Sequence, residues 1–85
     1  MMKARVLVRL KTEVSDPAGA AIREALATLN YTAISGVRVG KVFDLELAGS
    51  DPIRARAEVE KIAHEILSNP VIEDFTVDLF EGDRS

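Results

Sequence analysis

Gly36-Val37-Arg38-Val39-Gly40-Lys41-Val42-Phe43-Asp44-Leu45-Glu46-Leu47 is the longest run of period-two alternation in the chain. Val37, Val39, Phe43, Leu45 and Leu47 share one parity; Arg38, Gly40, Asp44 and Glu46 share the other. Alternation of this kind marks a half-buried strand or hairpin. The parity survives passage through Gly40-Lys41, which restricts how the chain can turn there. A two-residue loop would oppose Val37 to Asp44 and place a carboxylate on the apolar face. A three-residue loop over 40–42 opposes Val39 to Phe43 and Val37 to Leu45, so like faces meet. The odd-loop hairpin is the expected form; one long strand bent at Gly40 keeps the parity equally well and stays open as the alternative.

The flanking segments supply the rest of the fold. Residues 3–11 alternate, with Ala4, Val6, Val8 and Leu10 on one side and Lys3, Arg5, Leu7, Arg9 and Lys11 on the other. Ser15-Asp16-Pro17 is a helix start, with Asp16 as N-cap and Pro17 at the first helical position, where a missing N–H costs nothing. Ala18, Ala21, Ile22, Ala25, Leu26 and Leu29 recur at three- and four-residue steps, giving an amphipathic helix to about Leu29. Gly19, a poor helix residue, suits the close approach of another backbone or a bound group. Asn30 is placed to close the helix in a left-handed conformation. Asp51-Pro52 repeats the start signal, and a second helix runs to about Ser68 on a stripe of Ala55, Val59, Ile62, Ala63, Ile66 and Leu67. Asn69-Pro70 ends it. Residues 71–80 form the last strand, with Val71, Phe75, Val77 and Leu79 inward, and 81–85 reads as a frayed tail.

The order is β-α-β-β-α-β in a single domain over residues 1–85. The fold class expected is α+β: a two-layer sandwich with a mostly antiparallel sheet and two helices on one face. Right-handed crossovers place the first strand in the middle, the ferredoxin-like order. Charge agrees. Arg5, Arg9 and Lys11 of the first strand would lie between Asp44 and Glu46 on one side and Asp74 and Asp78 on the other, with opposite charges across the ladder. The same open face carries Leu7, Val42 and Phe80, a contact surface if they are contiguous.

Composition narrows the function. The 85 residues are 47% hydrophobic and 29% charged, with a formal net charge of −3, which fits an ordinary globular domain and argues against nucleic acid as a partner. With no cysteine there is no disulfide framework and no thiolate chemistry. No apolar run approaches the ~18 residues of a membrane span, and the N-terminus does not read as a signal peptide, so a cytoplasmic protein is expected.

Candidate chemistry is sparse. Residues 36–41 bear a superficial likeness to a phosphate loop, but lack the four-residue spacer, the hydroxyl residue after the lysine and the following helix. His64, the one histidine, lies off the apolar stripe of its helix and has no nucleophile beside it. Strand alternation splits Glu73 from Asp74 and Asp78, which argues for a solvated face over a metal site. The Asp16-Pro17-Ala18-Gly19 turn reads as capping in preference to anion binding. The residues by themselves describe a small α+β module without catalytic, cofactor or metal residues, whose open face or edges meet partners.

Four stretches in order, Asp16-Pro17-Ala18-Gly19, Val37-Arg38-Val39-Gly40-Lys41, Leu45-Glu46-Leu47 and Asn69-Pro70-Val71-Ile72-Glu73-Asp74-Phe75, resemble the PurS family, the small subunit of phosphoribosylformylglycinamidine synthase. The resemblance runs from Arg5 to about Leu79. Asn30 departs from it, standing where the family usually has glycine, although asparagine can adopt the same conformation.

The resemblance implies a non-catalytic bridging subunit of a glutamine-dependent, ATP-consuming C–N ligase of de novo purine biosynthesis. Its partners would be a glutaminase subunit and an ATP-dependent synthetase subunit, between which ammonia passes. ATP, Mg and glutamine would be used by the whole complex and not bound by this chain. A homodimer or dimer of dimers is also implied. Arg38, Lys41 and the outward apolar residues Leu7, Val42 and Phe80 are the candidate contacts for self-association or partner docking. The competing class is a ferredoxin-like dimerisation module that senses a small metabolite.

Overall fold

In the computed structural model, which describes residues 1–49 and 51–82, a three-stranded antiparallel sheet carries one well-packed helix. Strand β1 (Met2–Leu10) lies between β2 (Gly40–Leu47) and β3 (Glu73–Glu81), so the first strand is central, as the charge pattern requires. Arg5 stands opposite Asp44 on one side and Asp78 on the other; Arg9 stands opposite Asp74. Helix α1 (Pro17–Thr28) precedes β2, and helix α2 (Pro52–Ile62) precedes β3. The α+β class and its ferredoxin-like order are thus observed, with residues 34–39 in the position of the remaining strand.

That position is where the structure departs from a closed sandwich. No hairpin forms over 40–42. Gly40, Lys41 and Val42 lie inside β2, opposite Arg9, Val8 and Leu7. The chain passes through Gly40 without a turn, so the expected hairpin is replaced by the alternative, a strand that runs on through this point. Residues 34–39 lead into β2 without joining a ladder. Of the two alternatives, the uninterrupted one prevails because β1 is long enough to pair with β2 up to Arg9.

The core is built from every second residue of β1. Ala4, Val6 and Val8 are fully buried and meet Val59 and Ala63 of the second helix, with Phe43, Leu45, Leu47, Leu67, Phe75, Val77 and Leu79 packed around them. After Ile62 the second helix continues as a π-helical turn, Ala63–Leu67. It is held where Ser68 donates from both its backbone N–H and its hydroxyl to the Ala63 carbonyl, at 2.9 and 2.8 Å. A π turn takes more residues per revolution than an α turn, so Leu67 faces the sheet. Ile66, expected in the core stripe, is 73% exposed. Val71, expected to face inward, is also exposed, because it lies in the turn before β3. Glu81, expected in the tail, is the last residue of β3 and pairs with Met2; residues 83–85 of that tail lie outside the described residues.

Helix α1 is placed differently. Its cap, its Pro17 start and its left-handed stop at Asn30 (φ 71°) form as the sequence predicts. Tyr31 N donates to the Leu26 carbonyl and Asn30 N to that of Ala27, the bond pair of a Schellman ending. Yet only Gly19 within it is buried. Ile22 and, just past its end, Leu29, Tyr31 and Ile34 are exposed. Only α2 is packed firmly over the sheet.

Shape follows from this. The radius of gyration is 16.2 Å, with extents of 49 × 30 × 14 Å, where a closed 85-residue domain has about 12 Å. The surface of 6241 Å² exceeds the ~5,000 Å² usual for a monomer of this mass.

Candidate interaction surface

The junction between α1 and the 36–39 segment is the most constructed polar site in the chain. Asp16 is 8% exposed. Gly19 N donates to Asp16 Oδ1 at 2.9 Å, and Val39 N donates to Oδ2 at 2.9 Å. One carboxylate therefore caps the helix and ties the entrance of β2 to it. These two backbone N–H groups, Val39 first, with Arg38 nearby, hold the Asp16 carboxyl below its ordinary value.

Gly19 is the matching half of the junction. A Cβ there would fall 2.1 Å from the Val37 carbonyl oxygen, so the close approach that its sequence position suggested is to the backbone of residue 37. Arg38 completes the joint. Its guanidinium donates to the carbonyls of Leu10, Lys11 and Val14 at 3.2, 2.8 and 3.3 Å. The sequence offered Arg38 as a partner contact; in this chain the guanidinium is spent on its own β1–α1 loop. Neither this clamp nor the second role of Asp16 carries a sequence signal, because both depend on 36–39 running beside that loop.

The other candidates divide by face. Leu7 lies opposite Val42 and Thr76 in one row across the open sheet face; Val42 is exposed and Leu7 half-buried. Phe80 lies opposite Lys3, and the Arg5 guanidinium stands 5.9 Å from its ring centroid. Arg5 also donates to Asp44 Oδ1 at 2.8 Å, which holds Asp44 below its ordinary value and raises Arg5. Lys11 pairs with Asp74 at 3.6 Å. The open face is therefore a charged surface largely neutralised from within, with a short apolar row at its centre. Lys41 sits at the start of β2, exposed, on the parity of the core face and away from the Leu7 row.

A shallow cleft of about 500 Å³ lies beside α1, lined by Thr12, Ser15, Asp16, Arg23, Gly36 and Arg38 among others. One of its two acids, Asp16, and one of its two arginines, Arg38, are already engaged as described. His64 is exposed on the π-helical turn. Among the described residues, no three His, Asp or Glu side chains come together as a metal-binding group, and no helix is long and apolar enough to cross a membrane.

These features define a small ferredoxin-like α+β chain distinguished by uncovered surface around one helix and one sheet edge. Comparison with known proteins gives that class a name. The PurS family model, described as phosphoribosylformylglycinamidine (FGAM) synthase, matches residues 3–81. The PurS subunit of FGAM synthase from Mycobacterium leprae is 46% identical over 77 residues, covering 91% of this chain and 94% of that protein. Among solved structures, Bacillus subtilis PurS superposes with a TM-score of 0.86 at 36% identity, covering 95% of this chain and all of that one. A chain of the Thermotoga maritima PurLQS structure superposes at 0.83 and 27% identity, covering 94% and 99%. The chain belongs to the PurS family.

Proposed function

We propose that this protein is the bridging subunit of FGAM synthase, acting in the cytoplasm in purine biosynthesis. It has no reactive site of its own. It holds a glutaminase subunit and an ATP-dependent synthetase subunit together, so that ammonia released from glutamine reaches the synthetase without escaping to water. ATP, Mg and glutamine are bound by those subunits. What supports this reading most is the full-length likeness to a chain of a PurLQS structure, together with a surface about 1,200 Å² larger than a closed monomer of this mass needs. That excess is of the size one partner contributes to a permanent interface.

Within this reading the candidate contacts serve two surfaces. Leu7, Val42 and Phe80, on the open sheet face, dock a partner subunit. Lys41, at the start of β2, belongs to a self-association edge, and Arg38 holds the segment that leads into it. Reconstitution tests the function. Synthetase and glutaminase are assayed with and without this chain, using glutamine or free ammonia as nitrogen source. Glutamine-dependent product should require the chain, while ammonia-dependent product should not. Equal glutamine-dependent activity without it would overturn the proposal.

A further inference from the structure

The open sheet face pairs off its basic side chains except at one point. Lys3, Arg5 and Arg9 of β1, and Lys11 just past it, share the parity of that face. Arg5 pairs with Asp44 at 2.8 Å and Lys11 with Asp74 at 3.6 Å, and Lys3 is engaged as well. Arg9 differs. Its cross-strand neighbours are Gly40 in β2, which has no side chain, and Asp74 in β3, which Lys11 already holds. Among the described residues the exposed Arg9 guanidinium has no hydrogen bond or ion pair.

Gly40 is what lets Arg9 lie where it does. Glycine inside a strand weakens it, and its usual reason for being there is the close approach of another group. A Cβ on Gly40 would fall 2.7 Å from Arg9 Cγ and 3.5 Å from its Cδ, so the Arg9 stem lies against the bare backbone of β2. The stem is therefore packed before any partner arrives, which lowers the ordering cost of a contact made by the guanidinium. Arg9 lines a cavity of about 160 Å³ at this end of the face, together with Leu7, Thr12, Arg38, Phe75 and Thr76. Asp74, the acid in its wall, is the one that Lys11 neutralises. Arg38 adds a second positive charge whose hydrogens go to neutral carbonyls. The cavity thus carries excess positive charge in a chain whose formal net charge is −3, and it adjoins the row of Leu7, Val42 and Thr76.

We infer that Arg9 is the charged anchor of the open face and receives a carboxylate from an Asp or Glu side chain of a catalytic subunit, flanked there by an apolar residue seated on Leu7 and Val42. A guanidinium presents its donors in pairs, the geometry that a carboxylate takes up. A free small anion suits the site less well. The cavity opens onto apolar side chains, which gain from burial under a protein surface and offer a hydrated ion nothing. This contact presupposes the bridging function and gives the open face its residue and its chemistry.

The reconstituted enzyme provides the test. Synthetase and glutaminase are held at fixed concentration and the chain is titrated in, so that glutamine-dependent product gives a half-saturating concentration and a plateau. Arg9→Gln should raise the half-saturating concentration about tenfold, with the plateau and the urea-unfolding midpoint unchanged. Arg9→Lys should recover part of that loss, and Arg9→Glu should be worse than Arg9→Gln because it repels an acid. Added salt should weaken the unmodified chain more than Arg9→Gln. An Arg9→Gln titration that matches the unmodified chain overturns the contact, and so does an Arg9→Glu titration no worse than that of Arg9→Gln, since no anion would then face the site. If Val42→Asp is impaired in that same series, the open face still docks its partner and only the Arg9 contact falls. Glutamine-dependent product that needs no chain at all removes the bridging function, and the contact with it.

Discussion

Two helices in this chain begin with the same signal, and they end in different situations. Asp16-Pro17 and Asp51-Pro52 both cap and start a helix. Asp51 is exposed and, among the described residues, caps its own helix alone, accepting from Ile53 N and Arg54 N; the helix it starts supplies Val59 and Ala63 to the core. Asp16 is buried, reaches a second segment through Val39 N, and starts a helix whose apolar side faces solvent. Local capping decides that a helix forms. What covers it depends on partners farther away, and α1 lacks them inside its own chain.

The sharpest contrast lies in side-chain truncation. Val59→Ala removes a fully buried side chain and should lower stability by about 2–3 kcal/mol, measured by urea unfolding. Ile22→Ala in α1, 44% exposed, should cost less than ~0.5 kcal/mol in the dilute chain while weakening self-association. Equal losses in the dilute chain would mean that α1 is packed as firmly as α2.

Gly19→Ala probes the joint between α1 and the 36–39 segment. In an open helix this change gains on the order of 0.5–1 kcal/mol. Here the added methyl meets the Val37 carbonyl, a backbone atom, and a loss of roughly 1–3 kcal/mol is expected. A stabilised variant would show that the joint is not formed.

The two caps should also separate. Asp51→Ala is expected to cost about 1 kcal/mol, and Asp16→Ala more, because Val39 N loses its acceptor as well. Thermal unfolding of the two variants side by side gives the order directly.

Smallest is the pH effect. The folded carboxyl of Asp16 is held below its ordinary value, so the unfolded chain takes up its proton first as pH falls. The stabilisation is complete above about pH 4 and is lost as pH drops through the lower folded value. Asp44, held down by Arg5, acts in the same direction. Asp16→Ala should flatten this part of the stability–pH profile, and an unchanged slope would remove Asp16 from the account.

Legibility in the sequence followed the same division. Alternation and charge placed β1 between β2 and β3, because cross-strand pairing depends on period and sign alone. The stop at Asn30 and the close approach at Gly19 were readable from residue type. The phase of α2 after Ala63 was not, since the Ser68 bonds that widen the turn shift Ile66 out and leave Leu67 in. Nor was the choice between hairpin and continuous strand at Gly40, where parity is the same for both. Of the candidate contacts, Leu7, Val42 and Phe80 fall on one face as their parity said. Arg38 turned inward to carbonyls whose position no local pattern reveals.

Helix α1 is complete as a helix but incomplete as a layer. Hydrogen exchange of its amides, followed against chain concentration, tests this most directly. Weak protection is expected in α1 at low concentration, rising as chains associate, while α2 and β1 stay strongly protected throughout. Protection of α1 equal to that of α2 at the lowest concentration would contradict it, because the helix would then be covered within its own chain.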